Sequence, residues 1–217
     1  MRITLLAIFF LAMNCLFAQQ EYYSVKKGYI LPAEEYNALL KTLSDQGKIE
    51  TTLFKEERKA DSIIHHVRLT LIPKSAQRDP YASVKKWVGK KFPLDSFTDL
   101  PADLQNGKPT LVNFWFTTCG PCIREIPHLN TLQENLQHKA NFLAITFNDE
   151  ATVERFMNRF PFSWPQIYEA KGGIGHMSVR SYPTNMLLDK EGNVVFVFGS
   201  LDEQFVPELQ DIFDLLQ

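Results

Sequence analysis

The chain has 217 residues, 45% of them hydrophobic, and a formal charge of −2, which is enough for one ordinary domain plus an appendage. That balance excludes a disordered chain and gives no basic field to draw in nucleic acid or anionic lipid. Three cysteines, Cys15, Cys119 and Cys122, are too few for a disulfide-armoured scaffold.

Met1-Arg2 and the apolar run from Ile3 to Ala18 have the charged start, short hydrophobic stretch and small final residue of a secretory signal, so residues 1–18 are expected to be a signal peptide cleaved near Ala18. The run is shorter than the roughly 18 to 20 residues of a spanning helix, and Asn14 interrupts it; if retained, it would act as an anchor. Cys15 follows Ala12-Met13-Asn14, a poor lipobox. Residues 19–83 are expected to form a small α+β extension and a linker. It has a strand at Tyr22 to Leu31, a helix at Pro32 to Gln46 and a strand at Ile63 to Ile72, then the polar, proline-bounded linker Pro73 to Pro80.

From residue 84 to 217 strand and helix signals alternate. Strands are expected at Thr110 to Phe116, Asn141 to Phe147, Thr184 to Leu188 and Val194 to Phe198, and helices at Pro121 to Leu136, Ala151 to Arg159 and Glu203 to Leu216. This order specifies a mixed α/β sheet with helices on both faces. Lys171-Gly172-Gly173-Ile174-Gly175 is too loose for a phosphate loop and reads as a turn leading into a short helix.

The chemistry lies in Phe114-Trp115-Phe116-Thr117-Thr118-Cys119-Gly120-Pro121-Cys122, which places a dithiol where a buried strand ends and a helix begins. Unpaired N–H groups and the positive end of the helix dipole stabilise an anion there, so Cys119 can act as a thiolate nucleophile. Cys122, one turn inside the helix, would then attack Cys119 in a mixed disulfide and release a reduced product. Pro121 falls in the first turn, where a missing N–H is harmless, and Gly120 keeps the loop unencumbered. A bare pair of this spacing is also half a zinc site, but with Cys15 removed no second cysteine pair remains to complete one. A structural bridge is a poor alternative, since so small a loop stabilises little. The five histidines form no ligand pattern: His65 and His66 are neighbours on a predicted strand and face opposite ways, and His128, His138 and His176 are scattered.

Asn113-Phe114-Trp115 ahead of the Cys-Gly-Pro-Cys motif, Arg124-Glu125-Ile126-Pro127-His128-Leu129 after it and Ser181-Tyr182-Pro183-Thr184 downstream resemble the TlpA/ResA branch of thioredoxin-like proteins over roughly residues 84–217. The resemblance implies a thioredoxin-like fold behind the α+β extension. It also implies that Tyr182-Pro183 forms a cis-proline loop facing the cysteines and binding an extended substrate segment, with Gly120, Pro121 and Trp115 beside it; Trp115 is expected mainly as core and active-site support. Glu125 resembles an acidic residue that the branch keeps near its thiols, where it would tune Cys122 or shuttle a proton; an ordinary solvated early-helix glutamate is the alternative. Asn113 stands where thioredoxin has a buried aspartate, and Thr118 where a tryptophan usually precedes the first cysteine.

The expected activity is that of an exported thiol:disulfide oxidoreductase that reduces disulfides in extracytoplasmic proteins such as cytochrome c precursors. Electrons would come from a membrane-bound donor, and no dissociable cofactor, metal or nucleic acid is required. Oxidant or isomerase is the first alternative, because direction depends on reduction potential. A copper carrier is less favoured, since related carriers have three residues between the cysteines and a further histidine ligand. A peroxidase is less favoured still, because Phe116 occupies the position where a threonine is expected.

Overall fold

The computed structural model describes residues 19–73, 79–101, 104 and 107–217. The expected signal segment, 1–18, and most of the expected linker lie outside the described residues. Among the described residues no helix is long and apolar enough to cross a membrane.

The N-terminal part is a four-stranded sheet with one helix. Strands β1 (Gln20–Lys26), β2 (Tyr29–Pro32), β3 (Gly47–Arg58) and β4 (Ser62–Pro73) lie in the order β2-β1-β4-β3, with β1 and β4 parallel and the other pairs antiparallel. Helix α1 (Ala33–Ser44) packs Tyr36 on one face, against Leu31 and Val67, and the ring of Tyr36 stacks on Tyr23 at 3.9 Å between centroids. This is the more apolar of the two β4 faces, the one that carries Val67 and Leu69.

Two features depart from expectation. The strand expected over Tyr22 to Leu31 is a hairpin, because Gly28 adopts φ +76°, a conformation that only glycine enters freely, and so turns the chain. Strand β3 was not anticipated: Lys48, Glu50, Lys55, Glu56, Glu57 and Arg58 mask its alternation. Charges of this kind are a common device on an edge strand, which must not recruit another chain.

The other face of this sheet turns toward the second part of the molecule. Phe54 meets Phe196 edge-on at 5.7 Å, and the Arg68 guanidinium lies 3.9 Å from the centre of the Phe205 ring while pairing with Glu208. Lys27 reaches Asp211 at 2.9 Å, and Lys85 bridges Glu50 and Asp79 at 2.5 and 2.8 Å. The extension is thus held by stacked and charged contacts around a small apolar centre.

The second part begins with a short helix, α2 (Ala82–Lys85), and a 3-10 turn, Leu94–Ser96. Its sheet contains β5 (Thr110–Trp115), β6 (Asn141–Thr146), β7 (Gln166–Ile167), β8 (Thr184–Leu188) and β9 (Val194–Phe198) in the order β7-β6-β5-β8-β9. Pairings β5–β6 and β6–β7 are parallel and β5–β8 and β8–β9 antiparallel, giving the expected mixed sheet. Helices α3 (Gly120–Leu136), α4 (Glu150–Met157), α5 (Lys171–Met177) and α6 (Phe205–Leu215) complete it.

Strand alternation divides the core between the two faces. Leu111 and Trp115 of β5 point into a cluster with Leu129 and Leu132 of α3, Val153 of α4 and Leu209 and Phe213 of α6. Val112 and Phe114 point the other way, to Phe92, Phe97, Ile174 and Met177. Here α5 is helical from Lys171 onward, without the leading turn that its glycines suggested. Gly173 has a packing reason: a Cβ there would lie 2.4 Å from the Phe97 ring and 2.6 Å from the Ser96 carbonyl oxygen.

Candidate active site

Buried strand β5 runs straight at the N-terminus of α3, and the cysteines occupy that junction. Cys119 caps the helix: its Sγ accepts the Cys122 backbone N–H at 3.2 Å, and Cys119 and Cys122 are joined as a disulfide. A sulfur that receives a helix-end N–H sits where negative charge is favoured. Both cysteines are largely covered, at 4% and 1% exposure, while Thr118, Gly120 and Pro121 stand open to solvent. A Cβ on Gly120 would meet only the end of Arg124, at 3.6 Å, so steric crowding does not demand glycine there.

The turn before the cysteines is fixed from β6. Asn148 Oδ1 accepts the Thr117 backbone N–H at 3.0 Å and the Thr146 hydroxyl at 3.2 Å. Sequence reasoning passed over Asn148, although an asparagine just past a strand end is a common way to satisfy loop N–H groups.

The Tyr182-Pro183 bond is cis, as the resemblance implied. Pro183 is buried and Tyr182 half-buried, its ring set edge-on to Phe116 and Phe147 at 5.2 and 6.0 Å. Burial pushes the Tyr182 hydroxyl up in pKa. Ser181, in the same loop, donates to the Pro80 carbonyl at 2.9 Å and so ties the loop to the end of the linker.

Trp115 takes the core and supporting place mainly expected of it, and not the substrate-facing one. It is fully buried, packs against Phe156 and Phe162, and donates its indole N–H to Gln166 at 3.0 Å. The strand alternation that puts Leu111 in the core puts Trp115 there too, beneath the cysteines and out of reach of a docking chain. Phe116, the next residue, is half-buried together with Phe147 and Tyr182, on which it packs.

Glu125 is no solvated helix glutamate. It is 1% exposed, three residues after Cys122 on the inner side of α3. Its Oε1 accepts from Asn113 Nδ2 at 2.8 Å, and its Oε2 from the Leu201 backbone N–H at 2.7 Å and Asn185 Nδ2 at 3.3 Å. Burial outweighs these donors and pushes its carboxyl up to about 7. Asn113 and Asn185 are partners across the β5–β8 ladder and so arrive at Glu125 side by side. Asn185, like Leu201, carried no signal in the sequence, because its role needs β8 laid against β5.

Three of the histidines make their contacts elsewhere. His65 and His66 face Glu56 and Glu57 at 3.2 and 3.5 Å in the N-terminal sheet, and His176 lies beside Trp87. Among the described residues no cluster of three or more His, Cys, Asp and Glu side chains is arranged to hold a metal ion.

The chain is similar to several known proteins. The family model described as Redoxin matches residues 87–212. A thiol-disulfide oxidoreductase ResA of Halalkalibacterium halodurans is 36% identical over 49% of this chain and 62% of its own length. The thioredoxin-like protein YneN of Bacillus subtilis is 32% identical over 54% of this chain and 66% of its own, and ResA of Bacillus cereus 35% over 51% and 69%. The chain thus spans somewhat under two thirds of the first two relatives. Among solved structures, a thiol-disulfide oxidoreductase from Bacteroides fragilis is similar over 49% of this chain and 82% of that one, with a TM-score of 0.43 at 21% identity. A family match over more than half the sequence, with a helix-capping cysteine pair and a cis proline at the expected positions, makes this chain a member of the Redoxin family, of the ResA/TlpA type.

Proposed function

We propose that the protein is a thiol:disulfide oxidoreductase that reduces disulfides in extracytoplasmic proteins. The observation that carries this reading is Cys119 at the N-cap of α3, its sulfur receiving a helix-end N–H, with Cys122 and the buried Glu125 behind it. In the reduced enzyme the Cys119 thiolate attacks one sulfur of a substrate disulfide. That S–S bond breaks, a mixed disulfide forms and the departing substrate sulfur takes a proton. Glu125 accepts the proton of the Cys122 thiol, whose sulfur then attacks Cys119 Sγ; the substrate leaves as a dithiol and the Cys119–Cys122 disulfide remains. Two electrons pass from the enzyme to the substrate, and a dithiol donor must return them. The cysteine pair supplies all the redox chemistry, so no dissociable cofactor is needed.

The exposed Thr118, Gly120 and Pro121, with the Tyr182-Pro183 loop, form the face for an extended substrate segment. Export rests on the signal-like residues 1–18, and cytochrome c precursors and a membrane-bound donor rest on the family resemblance. Cys122→Ser should accumulate a mixed disulfide through Cys119 when offered a disulfide peptide, and Cys119→Ser should not. A Cys122→Ser variant that forms no adduct would sink the mechanism. Direction is read from the reduction potential: a value near −270 mV supports a reductase, one near −120 mV a disulfide donor.

A further inference from the structure

Burying a carboxylate requires that every polar group around it point the right way, and here one backbone carbonyl fixes the orientation of two side chains in series. Asn185 Nδ2 donates to the Gly199 carbonyl at 2.7 Å, and a carbonyl can only accept. The amide of Asn185 is therefore locked with its nitrogen toward Gly199 and Glu125 and its Oδ1 toward Asn113. That oxygen accepts from Asn113 Nδ2 at 2.9 Å, which in turn locks the Asn113 nitrogen toward both Asn185 and Glu125. Reversing either amide would set oxygen against oxygen. Asn113 Oδ1 is buried with no hydrogen-bond partner among the described residues.

We propose that Asn185 and Asn113 are positioning residues that hold Glu125 in a cradle built only of donors and thereby set the pH at which it can accept the proton of Cys122. The inference rests on the reading of Glu125 as that proton acceptor, and it adds what controls it. A carboxylate meets three N–H donors in this cradle, whereas a carboxylic acid would turn its proton toward groups that cannot accept it. The cradle therefore opposes the effect of burial, and Asn185 is the member that sets the direction of the rest. The groups that donate to Glu125 are Asn113 from β5, Asn185 from β8 and the Leu201 N–H from the loop after β9; Cys122 stands three residues earlier on α3. Tyr81, from the turn before α2, is the titratable side chain that feels the Glu125 charge, and its hydroxyl is pushed up in pKa first by its own burial and then by Glu125. Tyr81 lies against Gly199, where a Cβ would come within 2.4 Å of its Oη.

The test uses the full-length protein with Glu125 followed by carboxyl-carbon NMR, in wild type, Asn185→Ala and Asn185→Asp, each checked for native near-UV circular dichroism. Asn185→Ala removes a donor, so the Glu125 midpoint should move about one pH unit higher; Asn185→Asp puts an acceptor in its place and should move it further. The pH profile of insulin-disulfide reduction should shift by the same amount in each variant. In a Glu125→Gln background neither Asn185 substitution should shift the profile. If all three proteins titrate alike, or if the profile shifts equally in the Glu125→Gln background, the cradle does not set the pH. If the NMR midpoint moves while the exchange profile stays fixed, the cradle controls Glu125 but Glu125 is not the proton acceptor; that refutes the proposal through the catalytic reading on which it rests. Should Asn185→Asp misfold, Asn113→Ser supplies the second donor loss, with the same upward movement expected.

Discussion

Replacing Glu125 by glutamine should change how stability depends on pH more than it changes stability at any one pH. In the folded state the carboxyl is pushed up to about 7, against an ordinary value of 4.5. As pH rises, the unfolded chain therefore ionises first, and between about 4.5 and 7 the folded state holds more protons. The stability tied to this group is full below about 4.5 and is lost as pH climbs to about 7. One unit of pKa difference corresponds to about 1.4 kcal/mol, so the loss across this window is about 3 kcal/mol. Urea unfolding of the disulfide form of wild type and Glu125→Gln, each at pH 5 and pH 8, isolates the effect, because whatever the glutamine amide itself costs among the donors appears at both pH values and cancels. Wild type should lose about 2.5 kcal/mol more than the variant on going from pH 5 to pH 8, since part of the loss is already complete at pH 5. Equal losses in the two proteins would mean that the carboxyl ionises at an ordinary pH and that the donors around it fully offset its burial.

Other substitutions test the supports of the site. Asn148→Ala should cost about 1 to 3 kcal/mol by leaving the nearly buried Thr117 N–H without an acceptor, and hydrogen exchange at Thr117 should speed up with it. Gly173→Ala should cost about 1 to 3 kcal/mol by thermal unfolding, since its methyl group would press on Phe97 and the Ser96 carbonyl; an unchanged melting temperature would show that α5 can slide away from the 3-10 turn. Arg68→Ala should lose about 1 to 2 kcal/mol at the junction of the two sheets, and Arg68→Lys should recover little of it, because an ammonium cannot reproduce the flat stacking on Phe205. Limited proteolysis between residues 58 and 62 should accelerate in the same variant if the N-terminal sheet is held by that contact.

The sequence by itself determined the candidate site, because a cysteine pair at a helix start is a local arrangement: a buried strand, two cysteines three residues apart and a proline in the first turn are neighbours along the chain. It determined the order of the main sheet's elements for a similar reason, since the apolar runs at Thr110–Trp115, Asn141–Thr146 and Thr184–Leu188 are unbroken by charge. It misjudged what depends on which neighbour a strand acquires. The charges of β3 hid an edge strand whose partner is β4, and Gly28 turned one expected strand into two. Only the tertiary structure decided the state of Glu125: its burial comes from the packing of α3 on β5 and β8, and its donors come from Asn113, Asn185 and Leu201, 12, 60 and 76 residues away. A carboxyl's pKa is a property of everything within a few ångströms of it, and the chain brings those groups together only when the sheet has closed.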